Sequence, residues 1–178
     1  MKHRLFILVE GEDDVRFFGR IIKPLLKGLY DSVEIVPYAC TKREKVSRFI
    51  KSIQLMKNDY IFVADIDNEN SVRDKKQLLY SRYSEVDGRS IIIVVMEIES
   101  WYLAGLTDES ARHLGIQPLP TTDSVTKEEF NRIIPPRFNS RIDFMYEILK
   151  FFSVPEAVRR NRSFSYFSHR YIGDENLF

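Results

Sequence analysis

The chain has 178 residues, 44% of them hydrophobic and thirteen of them Phe, which suits one packed domain with a small appended subdomain and excludes a disordered chain. The net charge of +1 conceals an asymmetry: residues 130–172 hold eight Lys/Arg against three Asp/Glu, or +5, and the remainder carries −4. A single Cys excludes an intrachain disulfide and a Cys-cluster metal site, and His3, His113 and His169 lie too far apart for zinc spacing.

Residues 5–9 (Leu-Phe-Ile-Leu-Val) read as a first strand ending at Glu10. This apolar run is too short for a signal peptide and no later stretch approaches a membrane span, so a soluble, cytoplasmic protein without a membrane partner is expected. Gly11 allows a turn, after which Val15, Phe18, Ile22, Leu25 and Leu29 recur at helical spacing, with a bend near Pro24. Residues 33–38 alternate as a second strand. Thr41 with Glu44 then forms the pattern of a capping box ahead of Val46, Phe49, Ile50 and Ile53. Residues 60–64 (Tyr-Ile-Phe-Val-Ala) make a third strand of the kind buried on both faces, followed by a helix through Leu78, Leu79 and Tyr83. Asp87-Gly88 marks a turn, and residues 91–95 form the most apolar strand, which places it centrally in the sheet.

Strands alternating with helices predict an α/β fold with a mainly parallel four-stranded sheet flanked by helices. From Glu99 the chain changes character: short helical patterns are broken by Pro118, Pro120, Pro135, Pro136 and Pro155, with no fifth strand. Thr126 with Glu129 and Ser140 with Asp143 look like helix starts, and Ile142, Tyr146 and Leu149 suggest a buried stripe. The expected organisation is an α/β domain over residues 1–106 and a helical C-terminal subdomain over residues 107–178.

Acids gather where the strands end. Glu10 closes the first strand and Asp65-Ile66-Asp67 the third; alternation sends Asp65 and Asp67 to the same side, where they can point two carboxylates at one cation. Ligands of open α/β sheets bind beyond the carboxyl ends of the strands, so a Mg²⁺ site is expected there, with Mn²⁺ as substitute. Asp14 opens the first helix and could fold back toward this crevice, although Glu12, Asp13 and Asp14 also suit a helix N-terminus. Glu97 and Glu99 leave the fourth strand two residues apart and share a face if the strand persists that far, whereas a helix starting near Ile98 would separate them.

Val9-Glu10-Gly11 after a first strand, with Asp65-Ile66-Asp67 after a later one, resembles the Toprim domain of topoisomerases, bacterial primases, small ribosomal RNA maturases and OLD-family nucleases, over roughly residues 4–105. Glu10-Gly11-x-x-Asp14 is similar to the acidic helix position of OLD-like Toprim nucleases. Ile98-Glu99-Ser100-Trp101-Tyr102-Leu103 resembles a segment of small Toprim-like proteins associated with phage defence, and the segment 162–167 is similar to the C-terminal end of one such group. The resemblance implies a Toprim-like (Rossmann-like) sheet and Mg²⁺-dependent hydrolysis of nucleic-acid phosphodiesters. It implies Glu10 as general acid/base or metal ligand, Asp65 and Asp67 as Mg²⁺ ligands, and Asp14 and Glu99 as helpers at a second metal, two such ions lying about 3.5–4 Å apart. The pattern of an ATP-binding P-loop is absent, so an ATPase, or another defence-system protein, would be a separate partner chain. Oligomerisation is left open.

Two other function classes fit part of the pattern. A receiver-like phosphoacceptor would use Asp13, Asp14 and Asp65, but Met96-Glu97-Ile98-Glu99 stands where its hydroxyl residue belongs and no strand supplies its Lys. A binding module without turnover would use Arg159, Arg160, Arg162, His169 and Arg170 along phosphates, with Phe164, Tyr166, Phe167 and Tyr171 stacking on bases. Helical spacing of Phe164, Phe167 and Tyr171 equally suits a core stripe, and Trp101 suits packing.

Overall fold

The computed structural model describes residues 3–173, which form two compact units divided after Val94. In the first unit, β1 (Arg4–Val9), β2 (Ser32–Pro37), β3 (Asp59–Asp65) and β4 (Ile91–Val94) form one parallel sheet in the order β2-β1-β3-β4. Leu5, Ile7, Leu8, Val9, Ile61, Phe62 and Val63 are buried, as expected of parallel strands covered on both faces. The most apolar strand, β4, is an edge strand and not a central one. All four of its residues are buried, so its apolar content reports covered faces and not its place in the order.

The helical segment after β1 comprises α1 (Glu12–Phe17), a π-helical turn (Phe18–Ile22) and a short α2 (Lys23–Leu25). The wide turn rotates the apolar face, so Phe17, Phe18, Ile22 and Leu26 are buried while Leu29, expected on the stripe, is exposed beyond the end of α2. Two further helices, α3 (Arg43–Leu55) and α4 (Val72–Arg82), pack on the sheet face that carries Phe6, Leu8, Tyr60, Phe62, Ile91 and Ile93. They contribute Val46, Ile50, Ile53 and Leu79 to that core. The expected Thr41–Glu44 capping box does not form. Lys42 is the N-cap and has no side-chain cap bond, because Thr41 lies one residue too early.

The connections give this sheet its functional edge. β1 leads outward to β2 on one side, whereas β3 leads outward to β4 on the other. The direction of winding therefore reverses between β1 and β3, and their carboxyl ends flank the crevice where open α/β sheets place ligands.

The second unit is helical: α5 (Ile98–Ala104), α6 (Asp108–Leu114), α7 (Lys127–Arg132), α8 (Arg141–Lys150), α9 (Val154–Arg160) and α10 (Arg162–Tyr171). Every residue of α5 is buried. Trp101 donates from Nε1 to Ser163 Oγ at 2.8 Å and meets Phe164 and Phe167 with ring centroids 5.1 and 5.4 Å away. Thr126 and Glu129 make the expected capping box on α7, and Ser140 caps α8. The buried face of α8 is Phe144, Met145 and Ile148, whereas Ile142 and Tyr146 are exposed. Two apolar rows run along this helix, and the one bearing the larger Phe144 faces inward. No described helix is long and apolar enough to cross a membrane.

Candidate functional site

Glu10 follows β1 directly and Asp65 is the last residue of β3, so the parallel register of these neighbouring strands sets the two residues side by side at the reversal point. Glu10 Oε1 accepts a hydrogen bond from the Asp65 backbone N–H at 3.1 Å. Tyr38, just past β2, donates its hydroxyl to Val63 O at 2.8 Å and lies 3.4 Å from Glu10 Oε1. At the first turn of α1, buried Asp14 turns back, and its Oδ2 accepts the Gly11 N–H at 3.1 Å.

Asp67 departs from the expected geometry. β3 ends at Asp65, and Asp67 sits in a turn at φ 51°, the left-handed region that Asp tolerates better than most residues. Strand alternation therefore does not orient it with Asp65. Its carboxylate is instead held by the ammonium of Lys75, which is 3% exposed on the inner face of α4. The ion pair keeps Asp67 close enough to act on Glu10.

The electrostatics bind these groups into one cluster. Burial first, and then the charge of Asp67, raise the Glu10 carboxyl above its ordinary 4.5, against the opposing hydrogen bond from Asp65 and the charge of Lys75. The Tyr38 hydroxyl is pushed well above its ordinary 10.0 by burial and then by the negative charges of Glu10, Asp14 and Asp65 among others. Three acids thus act on one hydroxyl.

Carboxylate oxygens without thiolate or imidazole are the donor set of a hard divalent cation. Among the described residues, however, no three His, Cys, Asp or Glu side chains converge closely enough to hold an ion together. The expected group of five acids is not assembled as one ligand set. A cation at the β1–β3 crevice would have to be held through one or two carboxylates and its own waters, a mode that Mg²⁺ accepts.

The remaining expected site residues lie in the second unit. Glu99 is buried on α5 with its carboxylate bound by Arg141, so its charge is already matched by a guanidinium. Glu97, the N-cap of α5, accepts the Lys127 N–H at 2.6 Å. Arg160, grouped above with phosphate-following cations, is instead a buried anchor: it donates to Glu156 at 2.8 Å, Leu119 O at 2.7 Å and Asp108 at 2.7 Å. Arg159 pairs with Glu156 at 2.6 Å, Arg162 with Asp123 at 3.0 Å, and Arg170 lies over the Tyr171 ring. Phe164 and Phe167 are core residues, which removes them as base-stacking rings; Tyr166 is exposed.

Lys75 and Tyr38 are the site residues that the sequence reading missed. A signal existed for Lys75: it precedes Leu79 by four residues and so falls on the apolar row of α4. The chain matches no protein-family model, no curated protein and no solved structure.

Proposed function

We propose that the β1–β3 crevice is the active site of a Toprim-like, Mg²⁺-dependent phosphodiesterase acting on nucleic acid. The observation that carries this reading is the Glu10 carboxylate bonded to the Asp65 N–H, which brings acids from two adjacent parallel strands to the point where the sheet reverses its winding. A divalent ion bound by Asp65 or Glu10 would supply charge neutralisation for the phosphate and a water of lowered pKa.

The chain's own residues have separate tasks in this reading. Glu10, raised by desolvation, is suited to take a proton from the attacking water, and the Asp65 N–H and Tyr38 hydroxyl fix its orientation. Lys75 holds Asp67 against its neighbours' repulsion and makes it a positioning residue until an ion competes for it.

The test is cleavage of labelled single- and double-stranded DNA and RNA in Mg²⁺ or Mn²⁺. Wild type cuts at least one substrate and EDTA stops it. Glu10→Gln lowers the rate by about 10²–10⁴-fold, the usual worth of a general base, and Asp65→Asn abolishes cutting while the far-UV spectrum stays native. Cutting that survives Asp65→Asn overturns the proposal.

A further inference from the structure

A second charged feature lies on the α3–α4 face of the first unit. Arg43, Glu44, Ser47, Arg48 and Lys51 form one wall of an open groove of about 500 Å³, and Ser81, Arg82, Ser84 and Glu85 form the other. Arg43, Ser47 and Lys51 are four residues apart, so they make one row along α3. At about 1.5 Å per residue that row is about 12 Å long, the length of about three or four nucleotides at about 3.4 Å each.

Among the described residues Arg43, Arg48, Lys51 and Arg82 take part in no ion pair, as is true of surface cations elsewhere such as Lys27, Arg73 and Arg132; what sets these four apart is that they line one trough. Arg48 donates only to the Glu44 backbone carbonyl, at 3.3 Å. Glu44 and Glu85 offset half of the four positive charges, and Ser47, Ser81 and Ser84 add hydroxyls beside them. An open, net-positive trough lined with hydroxyls suits a flexible polyanion better than a compact apolar ligand.

One ring links the groove to the acids. Tyr83, the C-cap of α4, packs its ring against Tyr38 and Phe62, with centroids 6.2 and 5.2 Å away. Burial raises the Tyr83 hydroxyl above its ordinary 10.0, the charge of Glu10 raises it further, and the charges of Arg82 and Arg43 oppose the rise. The chain direction agrees, since α3 starts just after the carboxyl end of β2, which puts Arg43 at the crevice end of the row and Lys51 farthest from it.

We propose that the α3–α4 groove is a subsite for the phosphodiester backbone of a single nucleic-acid strand, leading it to the crevice at Glu10 and Asp65. What then happens to the strand rests on the hydrolytic reading above; its binding does not. Arg43, Lys51 and Arg82 contact separate phosphates along the strand, and the shallow groove leaves the bases outward and unread, so binding is insensitive to sequence and steeply dependent on salt.

The experiment is fluorescence anisotropy of a short labelled oligodeoxythymidylate against the full chain in EDTA, titrated over a range of salt. Wild type binds with a steep salt slope. The exposed triple variant Arg43→Gln/Lys51→Gln/Arg82→Gln binds more weakly and its slope falls by about 0.7 for each phosphate contact removed, while Lys27→Gln, exposed on another face, behaves as wild type. Wild-type affinity and slope in the triple variant overturn the proposal, as does a wild type that does not bind. Because EDTA removes turnover, a groove-dependent binder that never cuts overturns the hydrolytic reading alone, and a nuclease whose binding ignores the triple variant overturns the groove alone.

Discussion

At the scale of single residues, desolvation makes Glu10 costly to ionise, and that cost can be read as stability. Its folded-state carboxyl lies above the ordinary 4.5, so between that value and its raised pKa the folded chain holds a proton that the unfolded chain has lost. Glu10 therefore contributes a stability that is present at acidic pH and declines as pH rises through the raised pKa. In EDTA, Glu10→Gln should remove this decline, so that the variant melts at or above the wild-type temperature at neutral pH while its activity is lost. Melting curves of both proteins across pH would check the sign. A wild-type melting temperature that rises over the same window, with the variant falling below it, would contradict the burial argument. Tyr38 opposes the effect through its contact with Glu10 and does not titrate near neutrality, since its own shift is upward from 10.0.

At the scale of elements, the two arginines flanking the α9–α10 junction should separate anchor from surface. Arg160→Gln takes a buried guanidinium from Leu119 O, Asp108 and Glu156, and should destabilise by about 2–3 kcal/mol. Arg162→Gln removes an exposed contact with Asp123 and should stay within about 0.5 kcal/mol. Urea melts of the two variants measure the difference. The same pair shows where sequence reading stops. Periodicity located every strand and the helices after them, because alternation and the 3.6-residue repeat are local properties of the chain. It could not tell that Arg160 points inward and Arg162 outward, since both belong to one basic run and only the distant acids and carbonyl decide. β4 was placed centrally for a similar reason: Ile91 to Val94 reveal that both faces are covered, but strand order depends on crossovers that no local pattern records. At the candidate site, Glu10, Asp14 and Asp65 were legible as strand-end and helix-start acids. The expected partnership of Asp65 with Asp67 was not correct in its geometry, because strand pairing ends one residue before the turn that carries Asp67.

At the scale of the whole molecule, a ligand that binds only the folded chain shifts its unfolding equilibrium, and the shift reports where the ligand sits. Mg²⁺ at 100 times its dissociation constant should stabilise by about 2.7 kcal/mol, or about 5–10 °C for a chain of this size. If the two units melt in separate steps, only the transition of the unit ending at Val94 should move. Asp65→Asn should abolish the shift. Calorimetry with and without the ion tests this independently of any substrate, and a shift retained in Asp65→Asn would remove that residue from the ligand set. The turn at Asp67 has a consequence for the history such a fold can have. A left-handed backbone at φ 51° accepts Asn or Gly with little penalty, whereas most other residues would cost about 1–2 kcal/mol there. Asn and Gly are each one base change from Asp in the genetic code. Either change would preserve the turn but take the carboxylate from the buried Lys75 ammonium, so the ion pair, and not the backbone, is what holds Asp at this position.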